Sequence, residues 1–373
     1  MNLMRILVDY RPALRARTGV GEYMHGIVRA YTAAYNDDVT VFTSSWTDRP
    51  APATAAELRA RVIDRRIPVR VLNYLWHRAH WPPVEMLAGP MDVVHAAHPL
   101  IVPATRAAEI VTIHDLFFLT EPGQTHAEIR RDYAALAPAH ARRADAIVTP
   151  SSHTRQQVIS RFDVPPDRVY ACPFGAPSWT TLGCAPNVPR DGYLLFVGTL
   201  LPRKNVGVLL DAYTQLLRRV PSAPRLVMAG GATAGAEAWL SRLARAPLRG
   251  HVEHRGYVSD REHLYAGARA LIMPSLDEGF GVPALEAMSA GVPVLASNRG
   301  ALPEVIGSGG TMLDPGDVDG FATAMQRVTS DEEWARAQGR AGLERAQAFT
   351  WGATAAALRR AYVDAVERRQ ARR

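Results

Sequence analysis

The chain is short of the residues that define several protein classes. Only two cysteines occur, Cys172 and Cys184, which excludes a disulfide framework and a four-thiolate zinc site. Both are expected as reduced thiols. Lysine is nearly absent, because 42 of the 43 basic residues are arginine and Lys204 is the only lysine. Apolar runs are brief: residues 292–296 fall far below the ~20 residues a bilayer crossing requires. The N-terminal run Ile6-Leu7-Val8 is ended by Asp9 and followed by Arg11, Arg15 and Arg17, too short a stretch for a secretory signal. There is no low-complexity tract, no repeat of solenoid period, and no strand followed by a complete G-x-G-x-x-G.

What remains is a chain of 373 residues with 47% hydrophobic and 21% charged residues, enough to bury the cores of two ordinary domains. The net charge of +7 admits nucleic acid, phosphorylated small molecules or an anionic membrane face as partners, since all attract cations through the same long-range field. The basic residues are spread without a concentrated block, which weighs against nucleic acid. The expectation is a soluble, cytoplasmic protein that at most sits on a membrane surface.

Short apolar runs alternate with helical patterns throughout, which predicts βαβ units and parallel sheets. In the first half strands are expected at 5–8, 39–42, 92–95, 110–113, 146–148 and 168–171, with helices at 21–34, 125–142 and 151–161. Residues 173–191 are rich in proline and glycine and read as an interdomain linker. In the second half strands are expected at 193–197, 225–229, 252–255, 270–273 and 293–296. Between the first two lies a helix in which Val206, Leu209, Leu210, Tyr213, Leu216, Leu217 and Val220 follow helical spacing, with Asn205 as its N-cap. A last helix is expected at 353–369, after Phe349 and Trp351.

Open parallel sheets bind ligands beyond the carboxyl ends of their strands, so the turns after strands carry the chemistry. In Asp277-Glu278-Gly279-Phe280-Gly281-Val282-Pro283-Ala284-Leu285-Glu286, Pro283 suits the first turn of a helix and Gly291 its stop. Gly279 and Gly281 then lie just before a helix N-terminus, where free N–H groups and the dipole attract a phosphate. Glu278 in the loop and Glu286 on the helix are spaced to meet different hydroxyls of one ligand. The competing reading makes Glu286 a first-turn acid and Glu278 a solvated loop residue.

Val197-Gly198-Thr199-Leu200-Leu201-Pro202-Arg203-Lys204-Asn205 is again a strand, a glycine turn and a helix start. Two adjacent cations at a helix N-terminus cost a few tenths of a kcal/mol unless an anion sits there. A solitary lysine, compact and flexible, suits a phosphate oxygen. Arg17-Thr18-Gly19-Val20-Gly21 before the first helix is a weaker signal that also satisfies turn geometry alone. His114, ending the strand at 110–113, stands where it could donate a hydrogen bond to a substrate hydroxyl, or merely cap a loop. His95 and His98 lack a third partner at metal spacing.

Together these turns, with Thr149-Pro150-Ser151-Ser152 and Gly300-Ala301-Leu302-Pro303-Glu304-Val305, resemble the retaining glycosyltransferases of family 4, and in particular bacterial mannosyltransferases of polysaccharide assembly. The resemblance implies an α/β GT-B fold: two facing, Rossmann-like, doubly wound parallel-sheet domains with an interdomain cleft. Residues 1–185 would form the acceptor-binding domain, 186–350 the nucleotide-sugar domain, and 351–373 a helix crossing back to the first. It implies that Arg203 and Lys204 bind the donor diphosphate, that Glu278 contacts the transferred sugar and that Glu286 holds the ribose. Gly198, Thr199, Gly279, Phe280 and Gly281 would lie along the donor, His114 near the reacting carbon, and Gly19 and Gly21 against the diphosphate.

No metal or cofactor is expected, the cationic pair and helix terminus supplying the charge. The expected donor is a nucleoside-diphosphate sugar, with GDP-mannose ahead of UDP- or ADP-sugars, and the acceptor a glycan or lipid-linked glycan. Arg61, Arg65, Arg66 and Arg70 with Trp76 and Trp81 read either as a basic and aromatic patch for a peripheral membrane contact or, as is more common for such residues, as a solvated face with core aromatics. A GT-B nucleotide-sugar epimerase and a catalytically silent sugar-binding protein share the architecture and stand as alternatives.

Overall fold

A computed structural model describes residues 3–14, 19–120, 127–233 and 235–373. Arg17 and Thr18 of the first glycine turn, and positions 125–126 of the expected second helix, lie outside these. The chain divides into two compact units, Met1–Gly175 with Thr350–Arg373, and Ala176–Phe349.

The first unit holds a seven-stranded sheet of β1 (Arg5–Asp9), β2 (Asp38–Ser44), β3 (Arg61–Arg65), β4 (Val93–Ala96), β5 (Ala108–Thr112), β6 (Ala146–Thr149) and β7 (Val169–Ala171), ordered β3-β2-β1-β4-β5-β6-β7. All pairs are parallel. The inner strands are buried along nearly their whole length, as a sheet covered on both faces requires, which is why they read as unbroken apolar runs. β3 escaped the sequence reading because its stretch Arg-Val-Ile-Asp-Arg is a half-exposed edge strand with only two apolar residues.

The second unit carries β8 (Tyr193–Val197), β9 (Leu226–Ala229), β10 (Val252–Gly256), β11 (Ala268–Met273), β12 (Val294–Ser297) and β13 (Thr311–Leu313), ordered β10-β9-β8-β11-β12-β13 and again parallel. The short β13 also went unread. The helix Val206–Arg219 buries Val206, Leu209, Leu210, Ala212, Tyr213, Leu216 and Leu217, the face its spacing demands. Asn205 precedes it but does not cap it: its backbone is left-handed (φ 56°), and its amide donates to the carbonyls of Pro274 (3.1 Å) and Pro315 (2.7 Å).

The first break between units precedes the expected 185/186 boundary. Residues after Gly175 are already fastened to the second unit, the Trp179 indole donating to Ser289 Oγ (2.8 Å) and Thr180 Oγ1 to Glu262 (2.7 Å). Gly175 itself is pressed against the Trp351 ring, as is Gly26; a Cβ would stand 2.4 and 2.1 Å from that ring at the two positions. Trp351 opens the last helix, Trp351–Ala371, capped by Thr350 Oγ1 accepting from the Ala353 N–H (3.1 Å). This helix packs within the first unit: Tyr362 Oη meets His95 Nδ1 (2.8 Å), Asp364 accepts from Tyr170 Oη (2.6 Å), and Arg359 pairs with Asp37. Burial pushes the His95 pKa down to about 3 despite Asp9 nearby. It is a structural histidine.

The arginine- and tryptophan-rich stretch divides between its two readings. Trp76 is a core aromatic, fully buried with its indole donating to Pro82 O (3.0 Å), while Arg61 and Arg65 are the exposed ends of β3. Trp81 is exposed, and with it Val71, Tyr74 and Met86. No helix among the described residues is long and apolar enough to cross a membrane, and neither cysteine forms a disulfide.

Candidate active site

In the second unit the site is built where β8 and β11, neighbours in the sheet, end. After β8 the backbone passes Gly198, whose absent side chain leaves room for the Lys204 stem: a Cβ there would lie 3.3 Å from Lys204 Cε. A single turn, Pro202–Lys204, then delivers Arg203 and Lys204, with Lys204 buried. The Leu276 N–H donates to Arg203 O (2.7 Å), which ties this turn to the one after β11. Thr199 stands exposed at the bend.

Glu278 enters from that second turn and is buried. Its Oε1 accepts from Lys204 Nζ (2.5 Å) and Ser275 Oγ (2.7 Å), and its Oε2 from Arg203 Nη1 (3.2 Å). Burial alone would raise its pKa, but the charges of Lys204 and then Arg203, with the hydrogen bonds of Lys204 and Ser275, hold it below the ordinary carboxylate range. Glu278 is therefore a carboxylate at neutral pH. Glu278 is a carboxylate that offsets these two cations, so the solvated-loop reading does not hold.

Gly281 follows with φ 96°, and a Cβ there would meet Leu302 at 2.6 Å, so only glycine permits this entry into the helix Val282–Ser289. Phe280 is buried, its ring edge-on to Phe349 at 5.8 Å. The segment Gly300–Val305 supports the turn from behind. Gly300, at φ 61°, packs where a Cβ would fall 2.5 Å from the Glu278 N, and the Ala301 N–H donates to Glu278 O (2.9 Å). Glu286 lies in the second turn of its helix, not the first, and is buried. Arg261 Nη1 (2.5 Å) and Tyr265 Oη (2.8 Å) grip its two oxygens.

Arg261, Tyr265 and Ser275 are the members that sequence reasoning missed. Arg261 is one arginine among 42, and nothing in the spacing joins it to a glutamate 25 residues later.

In the first unit His114 follows β5. Its Nε2 lies 3.2 Å from Ala97 O, and its ring meets Tyr23 edge-on at 5.3 Å. A carbonyl only accepts, so Nε2 carries the hydrogen and Nδ1 is left as an acceptor. Burial outweighs the opposing pull of Asp115 and brings the pKa down to about 4, so the ring is neutral at physiological pH. It can accept from a substrate hydroxyl through Nδ1, whereas the sequence reading made it a donor.

The two glycines of the helix Gly19–Ala34 differ. A Cβ on Gly21 would fall 2.8 Å from Pro12 O, while one on Gly19 would meet nothing within 4 Å. Gly21 is needed for packing; Gly19 has no such reason. No group of three or more metal-ligating side chains occurs among the described residues.

Two family models match, Glycosyltransferase Family 4 over residues 17–177 and Glycosyl transferases group 1 over residues 191–331. The O-antigen chain mannosyltransferase B of Escherichia coli is 30% identical over 372 residues, covering 93% of this chain and 96% of that protein. Among solved structures, a sucrose-phosphate synthase from Thermosynechococcus elongatus superposes with TM-score 0.72 at 22% identity, covering 97% of this chain and 98% of that one. HepE of Anabaena, in complex with UDP-glucose, superposes with TM-score 0.69 at 18% identity, covering 96% and 98%.

Proposed function

The chain belongs to glycosyltransferase family 4, with the GT-B fold and the retaining hexosyl transfer of that family in polysaccharide assembly, and from that premise we propose that it moves a mannosyl residue from GDP-mannose to the end of a growing, lipid-linked glycan. The observation that carries the reading is the convergence of Arg203, Lys204 and Glu278 from two separate turns, beside glycine backbone at a helix start. The mannosyl choice is supported by the relative's name.

In this reading Arg203 and Lys204 take the donor diphosphate, with the N–H groups at Gly279–Gly281, as negative charge grows on the leaving phosphate. That fixed positive charge stands in place of a divalent metal. Glu286, positioned by Arg261 and Tyr265, accepts from ribose hydroxyls. Glu278 is a poor nucleophile because both its oxygens are already held by cations, which favours front-face displacement with the departing phosphate assisting acceptor deprotonation. His114 accepts from a hydroxyl of the transferred sugar through Nδ1, and Gly19 leaves room for the ligand. A thermal-shift panel of GDP, UDP and ADP with their sugars tests the donor, because a ligand that binds only the folded state raises its melting temperature. Stabilisation by GDP and GDP-mannose, and transfer that survives EDTA, are expected; a strict Mg²⁺ requirement would contradict the cationic clamp.

Work on the cytoplasmic membrane face is part of the same reading. Between Asp64 and Glu85 the chain has no acid but four arginines, and Val71, Tyr74 and Trp81 in that stretch are exposed. This combination suits an anionic lipid surface. Sedimentation with phosphatidylglycerol vesicles, but not with phosphatidylcholine vesicles, is the expected outcome.

A further inference from the structure

The proline- and glycine-rich stretch that reads as a linker does more in the structure than connect. From Ala176 onward it belongs to the second unit, and residues 179–187 lie across two helices that carry the opposite halves of the Glu286 clamp. Glu286 is on the helix Val282–Ser289, while its two donors, Arg261 and Tyr265, are on the helix Arg261–Ala266. Six residues are too few for a helix to hold its place without tertiary support.

The stretch supplies that support at three points. Thr180 Oγ1 and the Thr181 N–H donate to the two oxygens of Glu262 (2.7 and 2.5 Å), next to Arg261. The Trp179 ring lies tilted against the Tyr265 ring, with centres 5.7 Å apart. Asn187 Nδ2 donates to the Tyr265 and Ala266 carbonyls (2.9 and 3.2 Å), acceptors that a helix leaves open at its end. The same stretch is tied to the other helix. The Trp179 indole donates to Ser289 Oγ (2.8 Å), and that hydroxyl donates to Glu286 O (2.9 Å). Gly183, at φ 90°, passes so close that a Cβ would stand 2.8 Å from Ser289 O. Trp179 thus meets both halves of the clamp, its ring on the residue that holds the carboxylate and its N–H on the helix that carries it. A carboxylate reads a diol only if its lone pairs keep a fixed direction, so the side chains that lock its donors govern affinity.

We propose that Trp179 is a positioning residue for Glu286, and that residues 179–187 form a strap that sets the affinity for the nucleoside end of the donor. The inference rests on the ribose role given to Glu286 above and extends it to a segment outside the ligand turns.

The test uses the full chain. Trp179→Phe keeps a ring against Tyr265 and removes the indole donor, whereas Trp179→Ala removes both; the first decides the matter if the second does not fold. Calorimetric affinity for GDP is expected to fall about fivefold in Trp179→Phe, the worth of one hydrogen bond, and further in Trp179→Ala. The KM for the nucleotide sugar should follow while kcat stays within about twofold. Inorganic pyrophosphate, which has no ribose, should bind the native protein and both variants alike. In a Glu286→Ala background neither substitution should weaken GDP further, because a positioning residue acts only through the group it positions. A lower melting temperature with unchanged GDP affinity in Trp179→Phe, or pyrophosphate weakened as much as GDP, overturns the proposal. If Glu286→Ala itself leaves GDP affinity unchanged, the ribose reading fails; a loss in Glu286→Ala with none in the Trp179 variants defeats the strap alone.

Discussion

Lys204→Met keeps an apolar stem beside Gly198 and removes one charge. The variant leaves the Glu278 carboxylate buried with Ser275 and the more distant Arg203. Breaking a buried pair costs about 3–5 kcal/mol when nothing replaces the lost partner. Arg203, 3.2 Å from the other oxygen, should retain part of that, which leaves a loss of about 2 kcal/mol at pH 7.5. The pH dependence identifies the cause. In the native protein the Glu278 pKa lies below its ordinary 4.5, so its contribution is present above that value and is lost as pH falls through the folded pKa. Without Lys204, burial dominates and raises the folded pKa, and that penalty grows as pH rises. The stability gap between the two proteins should therefore be widest at neutral pH and narrow toward pH 4.5, read as melting temperature across buffers. Transfer should fall far more than stability, about 10³-fold, since a charged group aimed at a developing oxyanion is worth ~3–4 kcal/mol or more. Near-native turnover in Lys204→Met, or a gap that does not change with pH, refutes the reasoning.

Glu286→Ala should weaken GDP binding about tenfold in calorimetry, with Tyr265→Phe intermediate, because one loses the acceptor and the other only its positioning; unchanged affinity removes the ribose role. Gly19→Ala should leave the melting temperature equal or higher while slowing transfer, and Gly21→Ala should lose about 1–2 kcal/mol against Pro12; equal stability of the pair contradicts the packing distinction. Burial, the largest influence on each, lowers the pKa of His77 to about 2, His95 to about 3 and His140 to about 4. The unfolded chain then binds more protons below its pKa of about 6.5, so stability falls as pH drops, by about 4 kcal/mol for the three at pH 5.5; a flat melting profile between pH 7.5 and 5.5 counts against it.

The strands and turns were legible because both sheets are parallel and buried on both faces, which prints each inner strand as an apolar run and each ligand turn as a break after it. β3 and β13 were lost where an edge strand needs no such run. The site was half legible. Gly279, Gly281, Arg203 and Lys204 follow from what a helix start can bind, but the Lys204–Glu278 bond joins residues 74 apart, and only the adjacency of β8 and β11 brings them together. Trp76 and Trp81 could not be told apart for a related reason: nothing local in an arginine-rich segment reveals that one indole finds Pro82 O and is buried while the other stays exposed.

The pairing of Glu278 with both cations explains why an unfavourable sequence feature is tolerated. Two adjacent cations before a helix oppose its dipole, and a carboxylate from the turn after β11 offsets them. In the proposed donor mode the trio carries a net single positive charge, too little to neutralise a diphosphate alone, so the N–H groups of the helix start at Gly281 are expected to share in holding the anion. On that proposal a donor that lacks the second phosphate would leave the helix start without an anion. The proposal thus expects discrimination between a sugar diphosphate and a sugar monophosphate to come from the division of charge between the two turns, and not from the cationic pair alone.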